Sequence, residues 1–234
     1  MIMKKHIIVF ALLSLFAYKV SGQNLITVDS KLLHFGFTLG LDAMDFGISP
    51  SLVVTSKGVY EADVAKITPG FTVGVIGDMR LGEYFNLRTV PAMHFGQREL
   101  SFVNISANKS VERLNIKSNI LTVPLYLKYS AVRVSNYRPY LIAGGGVAFD
   151  FGREREQPVL LNTLDYFVDF GVGWTIYFPY FRLSPEIKFA LGFGNIITPL
   201  EQRPNDFIAD ENLHFTRSID KLTSRLLTFT LNFE

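Results

Sequence analysis

Between Leu33 and Phe233 the chain repeats one pattern, in which large apolar residues take every second position and Gly, Thr, Asn or a charged residue fills the gaps. A period of two is that of a β-strand and divides each stretch into an apolar and a polar face. The first run sets Leu33, Phe35, Phe37, Leu39, Leu41 and Ala43 against His34, Gly36, Thr38, Gly40 and Asp42. The second opposes Phe71, Val73, Val75, Met79 and Leu81 to Thr72, Gly74, Asp78 and Arg80, and the third opposes Leu87, Met93 and Phe95 to Asn86, Arg88, His94 and Gly96. Five more follow, from Leu121, Leu141, Tyr166, Phe181 and Leu227; the seventh alternates from Phe181 to Phe193 around Arg182, Ser184, Glu186 and Lys188.

Eight such runs predict an all-β fold, and two architectures compete for it. A soluble lipocalin-like barrel or sandwich would point the apolar face at a core, whereas a membrane barrel would point it at lipid. Each run has the length a tilted strand needs to cross a bilayer, about 9 to 11 residues or somewhat more. The connections decide. Asp45 to Ile67, Val103 to Leu114, Phe151 to Leu164 and Gly194 to Thr223 are long, while Gly82 to Tyr84, Ala131 to Asn136 and Pro179 to Tyr180 are short, and the two kinds alternate strictly. Outer-membrane barrels have long outward loops and short periplasmic turns. Aromatics beside the short turns, among them Tyr84, Phe85, Tyr129, Tyr137, Phe178, Tyr180 and Phe181, suit the membrane interface. Mid-strand charges such as Asp169, Glu186 and Lys188 would be costly in a dry core but fit a polar lumen. The expectation is an eight-stranded antiparallel up-and-down transmembrane β-barrel with four long extracellular loops, in contact with outer-membrane lipid.

Composition then removes alternatives. Of 234 residues 48% are hydrophobic and 19% charged, and there is no cysteine, which excludes a disordered chain, a disulfide scaffold, a lipid anchor on cysteine and thiolate chemistry. Lys4 and Lys5, the apolar stretch Ile7 to Ala17 and the small exit Val20-Ser21-Gly22 form a signal peptide, so residues 1–22 are expected to be removed and 23–234 to form the barrel. That segment takes three of the 23 basic residues and none of the 21 acidic ones, leaving a formal charge of −1. The sequence pI of 8.7 therefore implies no nucleic-acid partner.

An eight-stranded lumen is just wide enough for side chains to fill it, which argues against a general diffusion pore. Asp78, Arg80, Arg88, Lys128 and Arg182 fall inward near the periplasmic ends, with Asp169, Glu186 and Lys188 nearer the middle; together they predict a lumenal charge network, with a gated conduit or binding site as the sharper alternative. His34 and His94 are also lumenal, and Asp42 and Ser101 are candidate catalytic partners by type alone, so no enzyme, cofactor or metal is expected. Gly144-Gly145-Gly146 lies within a strand and lacks the helix and lysine of a phosphate loop, so it is read as room for close packing. The loop from Glu201 to Asn212, carrying Arg203, Asp206 and Asp210, is solvated or binds a partner.

Three segments resemble the PorT family of Bacteroidetes outer-membrane barrels, called SprT in gliding relatives: LHFGFTLGLDAMDF from Leu33, TVPLYLKY from Thr122 and RPYLIAGGGVAFDFG from Arg138. The last two are shared widely among such barrels and speak to fold, while the first narrows the match; with FRLSPEIKFALGFGN from Phe181 the likeness spans nearly all of the mature chain. The resemblance implies a part in type IX secretion of proteins bearing a C-terminal sorting domain, with other secretion-system proteins as partners, and carries over no catalytic residue. A filled lumen would make it an accessory, assembly or docking barrel. A structural or adhesive surface barrel is the alternative, and the oligomeric state is left open.

Overall fold

The computed structural model describes residues 31–51, 54–55, 58–104, 111–152, 160–198 and 219–234. The expected signal peptide and the loop residues Glu201, Arg203, Asp206 and Asp210 lie outside the described residues. Among the described residues eleven strands form one antiparallel sheet: β1 (Leu33–Pro50), β2 (Val54–Thr55), β3 (Gly58–Ile67), β4 (Pro69–Arg80), β5 (Phe85–Thr89), β6 (Ala92–Asn104), β7 (Val111–Ser130), β8 (Tyr137–Asp150), β9 (Leu164–Tyr177), β10 (Arg182–Gly192) and β11 (Ile219–Phe233).

Eight staves close the ring. β5 and β6 make one of them, interrupted at Val90-Pro91, where proline has no N–H to give to a ladder. β1 pairs with β4 on one side and with β11 on the other, so the first and last strands seal the barrel from Phe37↔Phe233 upward. The Phe37 and Phe233 rings stack across that closure, 4.9 Å between centroids.

The alternation sorts to the faces it implies for a membrane barrel. Phe35, Phe37, Leu39, Leu41, Phe71, Val75, Leu125, Leu141, Phe170, Val172 and Phe229 are exposed on the outer wall, while Thr38, Asp42, Thr72, Arg88, Thr122, Asp169, Glu186 and Thr230 are buried inside. At one end the outer wall finishes in aromatics, with Tyr84 and Phe85 against Tyr129 and Phe178 stacked on Phe181. Toward the other end it turns polar at matching heights: Ala43 gives way to Asp45, Phe95 to Gln97 and Glu99, Leu121 to Asn119 and Lys117, and Leu227 to Arg225. From Leu33 to Ala43 a tilted strand climbs about 25 Å, the height of the apolar band of an outer-membrane barrel.

Above that edge the expected loops are partly strand. β1 runs on to Pro50, β3 pairs with β6 through Tyr60↔Asn104 to Ile67↔Arg98, and β6 and β7 stay in register to Val103↔Val111. Two connections expected to be long loops, Asp45 to Ile67 and Val103 to Leu114, are thus built largely from strand. Inside this protruding part the inward positions turn apolar. Phe46, Leu100, Phe102, Ile116, Ile219 and Leu222 pack with Leu161, Ile196 and Ile197 into a buried cluster beyond the membrane band. A dry core repays ordering the backbone there, which solvated loops cannot do.

Candidate functional site

The inside of the barrel has three zones. In the lower half, nearest Leu33 and Glu234, Arg88 is the hub and is wholly buried. Its Nε donates to Asp78 Oδ2 at 2.7 Å, one Nη pairs with Glu234 and the other stands 3.7 Å from Glu186 Oε2. Arg182 Nη2 holds the second Glu234 oxygen at 2.7 Å. Lys128 Nζ is 3.8 Å from Asp78 and 4.3 Å from the centre of the Tyr140 ring. Lys188 Nζ lies 3.1 Å from Glu186 Oε1, and the Tyr140 hydroxyl donates to Glu186 Oε2 at 2.7 Å. Asp169 accepts from the Tyr126 hydroxyl at 2.5 Å. Arg80 lies at the mouth, where its Nε donates to the carbonyl of Gly82 at 2.8 Å.

Six of the eight charged residues expected in the lumen thus meet in one cluster: Asp78, Arg88, Lys128, Arg182, Glu186 and Lys188. Glu234 was missed, because it ends the chain and follows the last apolar position, yet it joins two of the arginines. Tyr126 of β7 and Tyr140 of β8 are buried at inward positions, where the alternation alone gives them no role. Glycines make room for both rings: a methyl group at Gly144 would lie 2.8 Å from the Tyr126 ring, and one at Gly173 would lie 2.5 Å from the Tyr140 ring. The first lies in the glycine triplet.

The middle zone holds a cavity of about 50 Å³, lined in part by Thr38, Thr72, Ala92, Ala148, Asp169 and Ala190. That is space for a few water molecules. Four adjacent staves are tied together on its wall. Thr72 Oγ1 of β4 donates to Asp42 Oδ2 of β1 at 2.6 Å, and His94 of β6 sits with Nδ1 at 3.1 Å from Asp42 Oδ2 and Nε2 at 3.0 Å from Thr122 Oγ1 of β7.

The order carboxylate, imidazole, hydroxyl is that of a hydrolase triad, but the surroundings differ. The Thr122 hydroxyl is buried and also 3.4 Å from the Ala92 carbonyl, and Ala92↔Thr122 is a rung of the β6–β7 ladder, whose backbone N–H groups face carbonyls rather than a site for an oxyanion. The cluster acts as a latch between staves. Ser101, the other candidate by type, belongs to the protruding part of β6 opposite Arg113, and His34 lines the lower mouth.

The upper zone begins with Arg98, whose Nη2 donates to Asp150 at 2.9 Å and Nε to Ser118 at 2.7 Å, with the guanidinium 4.2 Å from the centre of the Phe46 ring. Above it lies the apolar cluster.

A family model described as outer membrane protein beta-barrel domain matches residues 22–198. No curated protein matches the chain. Among solved structures, Neisserial surface protein A is similar at 8% identity and a TM-score of 0.42, covering 86% of this chain and 98% of its own. Ail, the attachment invasion locus protein of Yersinia pestis, solved with the heparin analogue sucrose octasulfate, is similar at 10% identity and 0.38, covering 87% and 98%. The outer membrane protein AlkL, solved in lipid bilayers, is similar at 12% identity and 0.33, covering 85% and 87%.

Proposed function

Since the chain belongs to the family of outer membrane protein beta-barrel domains and resides in the outer membrane, we propose that it serves type IX protein secretion as an accessory, assembly or docking barrel. The observation that carries this reading is the packed lumen. A charge network around Arg88, a cavity of about 50 Å³ and an apolar cluster follow one another along the axis, and none has room for a folded cargo protein. Support for the secretion system itself comes from the PorT-like segments from Leu33, Thr122 and Arg138.

Deleting the gene tests the reading. Cargo bearing C-terminal sorting domains is expected to stay in the periplasm while unrelated outer-membrane barrels still assemble. Normal cargo release in the deletion strain would overturn it. One observation favours a second reading, a structural or adhesive surface barrel: the strands that stand above the apolar band around their own core form a firm outward platform. In that case deletion leaves secretion intact and weakens attachment to host or matrix.

A further inference from the structure

Between the ionic cluster around Arg88 and the apolar cluster above the band lies the cavity of about 50 Å³. Three oxygens of side chains on its wall have no hydrogen-bond partner within the protein: Thr38 Oγ1 of β1, Thr230 Oγ1 of β11 and Asp169 Oδ1 of β9. These residues are only 1%, 1% and 5% exposed. Buried polar groups are ordinarily paired, and leaving one unmet costs free energy. Three of them around one small cavity mark a place built for a guest.

That guest has to donate hydrogen bonds. A carboxylate only accepts, and a hydroxyl can turn its lone pairs to a donor. The wall's own donors are used elsewhere. The ring nitrogens of His94 face Asp42 and Thr122, the Tyr126 hydroxyl goes to the other oxygen of Asp169, and Lys188 makes its ion pair with Glu186 at 3.1 Å. Charge narrows the choice further. Asp165 is a second carboxylate on the wall, accepting from the backbone N–H of Tyr166 at 2.8 Å, a neutral contact that leaves its charge in place. Water would meet the three oxygens without compensating the two carboxylates.

A hard metal ion collects about six oxygens, whereas Val90, Ile120, Ala148 and Ala190 make much of this wall apolar. Among the described residues no three His, Cys, Asp or Glu side chains are grouped to hold a metal. An alkylammonium ion suits both halves of the wall: its head carries three N–H donors and no acceptor, and its tail belongs against the apolar side chains. The cavity has room for about three to five heavy atoms. We propose that it binds a short-chain primary ammonium ion of the size of propylammonium, its head on Asp169, Thr38 and Thr230. Since both ends of the lumen are closed, the ion enters as the strands close or when a closure opens, and exchanges slowly.

For the test, the mature barrel is refolded in detergent with radiolabelled propylammonium at neutral pH, freed of unbound label on a desalting column and counted, and the heat-dependent electrophoretic shift verifies that each variant is folded. About one label per barrel is expected to stay with the wild type and with Thr175→Ser, at the lower mouth outside the cavity. Asp169→Asn keeps the size of the side chain and an acceptor for Tyr126 but loses the charge, and retention is expected to fall about tenfold. Ala190→Leu fills the space with every polar group in place and is expected to abolish retention. Thr38→Val/Thr230→Val separates a built site from a poorly packed wall: exchanging unpaired buried hydroxyls for methyl groups is expected to leave the empty barrel as stable or more so, yet to lower retention severalfold. Absence of label on the folded wild type overturns the proposal, as does equal retention in folded Asp169→Asn or Ala190→Leu. Equal retention of labelled propanol overturns it in favour of a neutral guest, and displacement by potassium at equal concentration in favour of a metal ion. Both of these arms use the wild type alone and need no variant to fold. The secretion role stands or falls separately, because the cavity takes no part in docking.

Discussion

Arg88 has no access to water and stands among three carboxylates, those of Asp78, Glu186 and Glu234. Replacing it with methionine leaves all three with one cation fewer in a medium that solvates charge poorly. Breaking a buried pair on one side costs about 3–5 kcal/mol, so Arg88→Met is expected to lower the urea midpoint of the refolded barrel by that equivalent. Arg182→Lys is milder: it keeps the charge but loses the planar fork, and is expected to shift stability less than Arg88→Met and cargo release hardly at all. An unchanged midpoint for Arg88→Met would mean that water reaches the cluster. Which residues face inward was readable from the period of two, but which of them meet was not. Asp42 and His94 are 52 positions apart and come together only because β1, β4 and β6 are neighbours in a particular register. Glu234 reaches Arg88 over 146 positions, and a binary pattern contains no such distance.

Each strand tests its two faces separately. Val172 is exposed on the outer wall in the middle of β9, opposite Leu141 and Ile187. Val172→Arg puts a charge against lipid and is expected to cost roughly 2 to 4 kcal/mol in lipid refolding and to impair assembly. Thr175 faces inward and receives a hydrogen bond from Ser184, so Thr175→Ser, which keeps the hydroxyl, is expected to be nearly silent; the reverse result would invert the faces. The protruding segments make a third, distinct case. Phe102 is fully buried in the cluster above the band, and Phe102→Ala is expected to cost about 3–5 kcal/mol locally. Protease added to intact cells should then cut the outer segments while the membrane-embedded staves keep their heat-shift on gels. Co-operative loss of the whole barrel would instead make the cluster part of a single folding unit. The sequence pattern concealed this element for a physical reason. Alternation marks a lipid-facing strand by apolar residues on the outward positions, but above the membrane the code reverses, with Phe46, Leu100, Phe102 and Leu222 pointing inward and Asp45, Glu99, Lys117 and Arg225 outward. A reversed code next to turn-forming residues looks like a loop.

Across the whole molecule the lumen is closed twice, by different physics. The lower closure is ionic, with Arg88, Asp78, Glu234 and Arg182 spanning the interior, and the upper one is apolar, with nine buried residues from Phe46 to Leu222. Ions crossing the barrel would have to pass both, and the small cavity between them offers no bypass. The purified wild-type barrel in a planar bilayer is therefore expected to show no steady conductance. Series closure makes a sharper claim than a silent trace. Arg88→Ala removes the hub below but leaves the apolar closure, so it is expected to stay silent; Leu100→Ala/Phe102→Ala thins the upper closure and leaves the ionic one, and is expected to stay silent as well. The triple variant Arg88→Ala/Leu100→Ala/Phe102→Ala, once shown to be folded by its gel shift, is expected to conduct in brief, cation- or anion-carrying bursts, because both closures are then open at the same time. Conductance in either partial variant would show that one closure does all the sealing. A large, stable conductance in the wild type would overturn the closed lumen, and with it the argument that this barrel docks partners instead of passing them.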